Sequence, residues 1–364
     1  NIFYRTKLIK TCINSVYLLI FLSMKKKKLI FIIILLILVI IMSFVCLLLG
    51  TFKIPFLEVI KAIFNQSDDI NNRVILNIRI PRVLASIICG AGLSVAGLIM
   101  QTTLSNEMAT PSTLGVSSSC VLGANVSIII FAGGFLSTGN NINNYINSIN
   151  PFSTSLMAFI FAIISILLIL GLCKIKSFSP TTVVLSGLAL SSVWSSLTTL
   201  LQYFATDVGL SSALIWNFGD LGRATYQEDL MMFIVVSISS IIFFLLSWKY
   251  NALLSGDNVA KSLGINVSLL RFISLLLASL ITALCVSFLG IIGFVGLICP
   301  HICKKIVGHD HRYLIPSSLL CGSLLLLISD TFSRINGSSL PVGAITSLIG
   351  APFFLYMIFS KESI

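Results

Sequence analysis

Charge is what this sequence has least of. Of 364 residues 12 are acidic and 23 basic, 10 % charged in all, while 57 % are hydrophobic. A soluble domain carries about 25 % charged residues, so a globular enzyme with a polar surface is excluded. Mean hydropathy is +1.05, and apolar runs of about 18 residues or more, the length that crosses a membrane, recur from end to end. Leu29 to Leu49 is the plainest, with no charge inside it. The helix interiors are almost free of Asp, Glu, Lys and Arg, whereas transporters driven by ion gradients carry ionisable groups there as relays. No span holds a cluster of acid, base and nucleophile, which argues against a membrane enzyme. There is no G-x-x-x-x-G-K-[ST] phosphate loop, so any ATP is bound by another chain. Gly90, Gly92 and Gly97 give a G-x-G pattern, but inside a membrane helix, where it reads as helix packing. The nine cysteines are an odd number, and Cys46, Cys89, Cys120 and Cys285 lie in apolar runs as small hydrophobes, so no disulfide framework is implied.

What charge there is sits in short basic clusters at the ends of apolar segments. The net charge of +11 therefore reads as the positive-inside rule and points to membrane lipid, not nucleic acid. Met24 stands directly before Lys25-Lys26-Lys27-Lys28 and the first long run. Residues 1–23 are accordingly read as an upstream extension, non-native or disordered, and 24–364 as a single transmembrane domain. The first run is too long for a cleavable signal peptide and lacks a small-residue cleavage site, so an uncleaved first helix with a cytoplasmic N-terminus is expected.

The pattern predicts an all-α polytopic membrane protein of about ten transmembrane helices, with both termini in the cytoplasm. The spans fall at about 29–49, 82–101, 113–132, 154–172, 181–204, 230–248, 269–289, 295–307, 314–334 and 342–360. A polar stretch, Thr51 to Ile80, has room for a short amphipathic helix, and the Asn-rich Gly139 to Asn150 makes a loop. This arrangement places Lys174, Lys176, Lys249, Lys261, Lys304, Lys305, Arg312 and Lys361 inside. The segment 295–307 is too short to cross about 30 Å of hydrocarbon in the ordinary way, but short helices are tolerated when buried in protein. Glycines at 290, 293 and 296 would let backbones approach closely. The alternative is a re-entrant loop, which would invert the last two helices.

The same region, "GIIGFVGLICPHICKKIVGHDHR" (290–312), gathers Cys299, His301, Cys303, His309 and His311 within thirteen residues. At i, i+2 and i+4 the two cysteines share a helix face and His301 points nearly opposite. Zinc needs ligands converging on a tetrahedron, so no metal site is expected. Pro300 and His301 are read as shaping the short helix.

Six stretches carry a family resemblance: "RIPRVLASIICGAGLSVAGLIMQ" (79–101), "ATPSTLGVSSSCVLGA" (109–124), "GDNVAKSLGIN" (256–266), "GIIGFVGLICPHI" (290–302), "GHDHRYLIP" (308–316) and "LPVGAITSLIGAPFFLYMI" (340–358). In this order they resemble the FecCD family, the permease subunits of ATP-driven importers for iron chelates, haem and cobalamin. The resemblance covers almost everything after residue 50. It implies ten helices per subunit, a second permease, identical or paralogous, two ATP-binding subunits and an extracytoplasmic solute-binding protein. It also implies the bacterial cytoplasmic membrane. No cofactor is expected on this chain; ATP-Mg would sit on the ATPase and any metal inside the cargo. The implied function is uptake of a metal chelate by alternating access, a ferric siderophore foremost, with haem or cobalamin as alternatives.

Site residues follow from the same resemblance. Arg79, Arg82 and Arg334 would lie outside, against the orientation rule. In the family such arginines look like docking points for acidic residues of the binding protein, a task that suits a planar guanidinium fork. The alternative is snorkelling to lipid headgroups, with Arg334 paired to Asp330 one turn earlier. The polar insert within 251–268 matches the coupling helices that sit in a groove of the ATPase. Gly256 and Gly264 would bracket a helix, Asp257 cap its start, and Ala260 and Leu263 face the partner. Gln101, Asn106 and Pro111 are the candidates for the translocation path or inner gate. Two departures from the family pattern stand nearby. Asn106-Glu107-Met108-Ala109 replaces N-P-L-A and adds a negative charge, and "WNFGDLGRATY" (216–226) carries Asp220 and Tyr226 where a serine and a tryptophan are usual.

Overall fold

The computed structural model describes residues 2–50, 54–63, 69–134, 150–175, 178–334 and 340–360, and no strand occurs among them. Helix α1 is Ile2–Leu48, with its apolar part at Lys25–Leu48. The polar stretch after it holds α2 (Phe56–Ile63) and α3 (Asp69–Val74), and α2 is amphipathic, burying Val59 and Ala62. A π-helical turn, Ile75–Arg79, leads into α4 (Ile80–Thr103), with Pro81 in its first turn, where its missing N–H would be unsatisfied anyway. Next come α5 (Val116–Asn125), prolonged as a π-helix to Phe131, α6 (Pro151–Ile175), α7 (Pro180–Tyr203) and α8 (Asp207–Asn217). The order continues with α9 (Tyr226–Leu245), α10 (Ser247–Leu253), α11 (Asp257–Ser262) and α12 (Val267–Leu289). It ends with α13 (Val295–Val307), α14 (His311–Arg334) and α15 (Val342–Ser360).

Each span read from the sequence coincides with a helix. Among the described residues seven helices are long and apolar enough to cross a membrane, and Val116–Phe131 and Val342–Tyr356 are shorter apolar ones. Two features differ from the expectation. Helix α8 lies in what read as a loop, its start capped by the Thr206 hydroxyl on Gly209 N–H. Helix α9 begins at Tyr226, earlier than expected, because Thr225 and Glu228 form a capping box that satisfies its first free N–H groups. The loop expected at 139–150 lies, apart from Asn150, outside the described residues, as do Lys176 and Lys361.

Contacts fix the path of the chain. Lys28 of α1 lies over the Tyr313 ring and Thr102, near the end of α4, bonds His311, so these residues share one end of the bundle. At the other end Arg82, opening α4, bonds Asp330 near the end of α14. Helix α12 finishes at that second end, where Leu289 O accepts from the Asp220 N–H and Asp220 approaches Arg82. From there the chain runs without regular structure to Phe294, enters α13 beside the middle of α4, and reaches the first end before α14. The stretch 290–307 thus traverses the bundle and does not turn back. Helix α13 has 13 residues, about 20 Å at 1.5 Å per residue; nine of them are buried, as a short helix requires.

Helix α4 is the hub, with 20 of its 24 residues buried, against α14, α12, α13 and α9. Small residues permit this. A Cβ on Gly90 would collide with the Gly322 carbonyl of α14, and one on Gly97 with the Gly296 carbonyl of α13. The G-x-G pattern is therefore helix packing. Serines bond across the same crossing, Ser94 Oγ to Ser318 O at 2.7 Å and Ser323 Oγ to Ile87 O at 2.8 Å. Gly97→Ala is expected to lower stability by about 3 kcal/mol, the upper part of the overpacking range, because the atoms it meets are backbone. Gly171→Ala, whose Cβ would meet nothing within 4 Å, should leave the thermal midpoint in detergent unchanged or raise it.

Candidate functional site

At the end of the bundle where α1 and α14 finish, the three predicted arginines come together. Arg79 donates from Nη1 to Leu47 O (2.6 Å) and Leu48 O (3.3 Å), and Arg334 from Nη1 to Leu49 O (3.2 Å). These carbonyls are the negative pole of α1. Arg334 Nη2 also reaches Asp330 Oδ2 at 2.5 Å, and Arg82 Nε reaches Oδ1 of the same carboxylate at 2.6 Å, with Ser333 Oγ at 3.2 Å from its Nη2. The one-turn pairing of Arg334 with Asp330 is thus present, but Arg82 shares the carboxylate. Asp330 is fully buried and the three arginines are 4–9 % exposed. Of the two departures in 216–226, Asp220 reaches this cluster and Tyr226 reaches the π-turn that precedes it. Asp220 lies 3.8 Å from Arg82 Nη2 and accepts from Gly222 N–H at 2.8 Å, while the Tyr226 hydroxyl donates to Leu76 O.

At the opposite end Gly256 (φ 104°) and Gly264 (φ 79°) bracket α11, conformations that suit glycine alone. Two details differ from expectation. Gly256 occupies the cap position and Asp257 stands in the first turn, where its carboxylate takes the Arg271 fork instead of the backbone, at 2.9 and 2.8 Å. Ala260 does not face outward; it is 0 % exposed, whereas Val259 and Leu263 are 45 % and 62 % exposed. Residues four apart share a helix face, so the outward pair is Val259 and Leu263. Arg271 itself escaped the sequence reading. Its one signal was a cation near the start of an otherwise apolar span.

The neighbouring turn is polar. Asn251 Oδ1 accepts from His311 N–H (2.9 Å) and Nδ1 (2.8 Å), His311 Nε2 meets Thr102 Oγ1 at 2.8 Å, and Asn251 Nδ2 donates to Asp310 Oδ1 at 2.8 Å. Burial pushes the Asp310 carboxyl up. The Asn251 amide, the Arg312 N–H and the charges of Arg312 and Lys28 outweigh it and hold the group below the usual carboxylate range.

The gate candidates surround the last turn of α4. Gln101 donates to Gly296 O (3.2 Å) and accepts from Lys304 Nζ (2.8 Å). Asn106 N–H returns to Gln101 O, and its Oδ1 takes Met108 N–H. Asn106 also lines a cleft of about 530 Å³ with Leu104, Pro180, Thr181 and Leu185. Pro111 opens a 3₁₀ turn, Pro111–Leu114, and borders a separate cavity of about 40 Å³ beside Gly296 and Leu297. The Glu107 carboxylate stands 3.7 Å from His301 Nε2, so the added charge lies against α13. His301 Nδ1 bonds Leu297 O at 2.7 Å, and no group of three or more His, Cys, Asp or Glu among the described residues is arranged to hold a metal ion.

One carboxyl was missed. Asp229 is buried in α9 and neither oxygen has a hydrogen-bond partner among the described residues. The two buried aspartates should respond oppositely to substitution. Asp330→Ala strips two guanidiniums of their partner and is expected to cost about 3–5 kcal/mol. Asp229→Asn removes an unpaired carboxyl and is expected to raise the midpoint of thermal unfolding in detergent.

The lateral surface is apolar along α1, α6, α7 and α9, and the gate candidates and α11 lie at one end of the helical bundle. This is the build of a polytopic membrane protein. Residues 35–360 match the FecCD transport family, and the chain belongs to that family. A protein of Methanocaldococcus jannaschii assigned as an ABC transporter permease is 46 % identical over 87 % of this chain and 90 % of its own length. The iron(3+)-hydroxamate import system permease FhuG of Bacillus subtilis is 32 % identical over 86 % and 92 %. The hemin transport system permease HmuU of Yersinia pestis is 32 % identical over 87 % and 93 %. Among solved structures, an inward-facing conformation of a transporter assigned to the metal-chelate ABC type superposes with a TM-score of 0.77. It is 29 % identical and covers 90 % of this chain and 98 % of that one.

Proposed function

We propose that this chain is the membrane permease subunit of an ATP-driven importer taking up a metal chelate, a ferric siderophore foremost, with haem or cobalamin behind it. The observation that carries the reading is the family match over residues 35–360. The chelate class rests on relatives named for iron hydroxamate and for hemin, which are equally similar at 32 % identity. Neither outranks the other, and the cleft beside Asn106 is walled mainly by aliphatic side chains that distinguish cargoes weakly.

In this reading the coupling end faces the cytoplasm, in the cytoplasmic membrane, and the arginine end faces outward. Two ATP-binding subunits hold ATP-Mg and receive Val259 and Leu263 of α11. A second permease, identical or paralogous, completes a path that opens alternately to either side. The metal travels inside the cargo, and this chain binds no cofactor. An extracytoplasmic solute-binding protein docks at the arginine end. Three guanidiniums stand there against the carboxylates of Asp330 and Asp220, leaving positive charge for an acidic partner. Since each guanidinium is hydrogen-bonded within the chain, docking acts through the field of the cluster more than through a free fork, and should weaken as salt rises.

The test is a gentle detergent pull-down from native membranes with identification of the companions, followed by uptake of labelled ferric hydroxamate and of haem in proteoliposomes. A P-loop ATPase in about equal amount, with uptake that requires ATP, is the expected result. The chain purifying alone, with transport that collapses when ion gradients are dissipated, would sink the proposal.

A further inference from the structure

Two side-chain bridges tie the coupling segment to helix α4, and they end on adjacent residues. In the first, Arg271 is 3 % exposed; its two Nη atoms hold the Asp257 carboxylate of α11 and its Nε donates to Thr103 O at 2.8 Å. Thr103 is the last residue of α4, so its carbonyl is among those left without an intrahelical donor. One planar group thus clamps the first residue of α11 to the last carbonyl of α4. In the second, Asn251 Oδ1 of α10 accepts from the backbone N–H and from Nδ1 of His311, and His311 Nε2 meets Thr102 Oγ1. The amide oxygen is an acceptor, so Nδ1 carries a ring proton, and the Thr102 hydroxyl lies between His311 Nε2 and Leu98 O.

The last turn of α4 carries Gln101, one of the gate candidates. Gln101, next to Thr102, holds Gly296 O and Lys304 of α13, and its own carbonyl takes the Asn106 N–H. Helix α11 has six residues, too few to be stable alone, and hangs between two glycines whose Cβ positions meet nothing within 4 Å. Displaced as a unit, it would pull on what the Arg271 fork holds.

We infer that Arg271 and His311 are positioning residues that convert displacement of α10 and α11 into displacement of the last turn of α4, and so of the gate candidate Gln101 with its partners Lys304 and Gly296. This rests on the proposed reading of α11 as the ATPase contact. Lysine cannot replace Arg271, since a point charge does not reach a carboxylate and a carbonyl in one fixed fork. Valine at position 102 keeps the volume and removes the hydroxyl.

The experiment uses the whole complex, with ATPase and binding protein, in proteoliposomes, and measures cargo imported per ATP hydrolysed. Arg271→Lys and Thr102→Val are each expected to keep the ATPase bound and hydrolysing, with import per ATP lower by about tenfold, a usual size for a lost coupling. The double variant should be no additive sum of the two, because both act on one element. Import and hydrolysis falling in proportion, together with the thermal midpoint, would make the bridges merely structural and overturn the inference. Import per ATP equal to wild type in both variants would overturn it too. A wild-type chain that neither retains an ATPase nor imports with ATP would instead remove the importer reading, and this inference with it.

Discussion

A polar group left unsatisfied in hydrocarbon costs several kcal/mol, and the bundle is organised around meeting that constraint at helix ends. Inside a helix the backbone satisfies itself; at the C-terminus the last carbonyls do not. Here arginines from elsewhere in the chain supply the donors. Arg79 and Arg334 cover the end of α1, Arg271 the end of α4, and Arg223 the end of α8 through Ile215 O and Trp216 O. A cation at the negative pole of a helix is favoured electrostatically as well. Four of the few charges in the molecule are spent this way, so charge that looks misplaced for a membrane protein is in fact closing helices.

The helices themselves were plain in the sequence because length and apolarity decide them. Even 295–307, too short by that rule, was legible through Gly296 and the residues about it. What composition does not show is direction of a side chain. Ala260 and Leu263 looked equivalent in a motif, but only Leu263 shares a face with Val259, and Ala260 is buried. Asp257 had the residue type of a cap, yet Arg271, fourteen residues later, competes for its carboxylate. Arg271, His311 and Asn251 act across long sequence intervals, which periodicity cannot reveal. Helix α8 was lost for a simpler reason, since eleven residues of mixed character between two long spans resemble a loop.

The departures from the family pattern also acquire physical content. Asp220 and Tyr226 sit where α9 begins and reach Arg82 and Leu76, tying that turn to the start of α4. Glu107 sits across from His301 of α13, beside Gln101 and Lys304. Neither alters the helical frame, and each falls at one of the two ends where the frame meets its surroundings. Variation is accommodated at the ends because the middle, where Gly90 meets Gly322 and Gly97 meets Gly296, has no space for it.

The fastening of α1 has a consequence for biogenesis. Its last carbonyls depend in part on Arg334, and its packing surface is largely α14, both made only near the end of translation. During synthesis α1 must therefore wait in the bilayer without its main partner, held at its end by Arg79 alone. Its apolar part, exposed over most of its surface even in the finished bundle, is suited to that wait, whereas α4, rich in glycine and serine, is not. The most lipid-compatible of these helices thus precedes the hub in the chain and is secured by a helix that follows it.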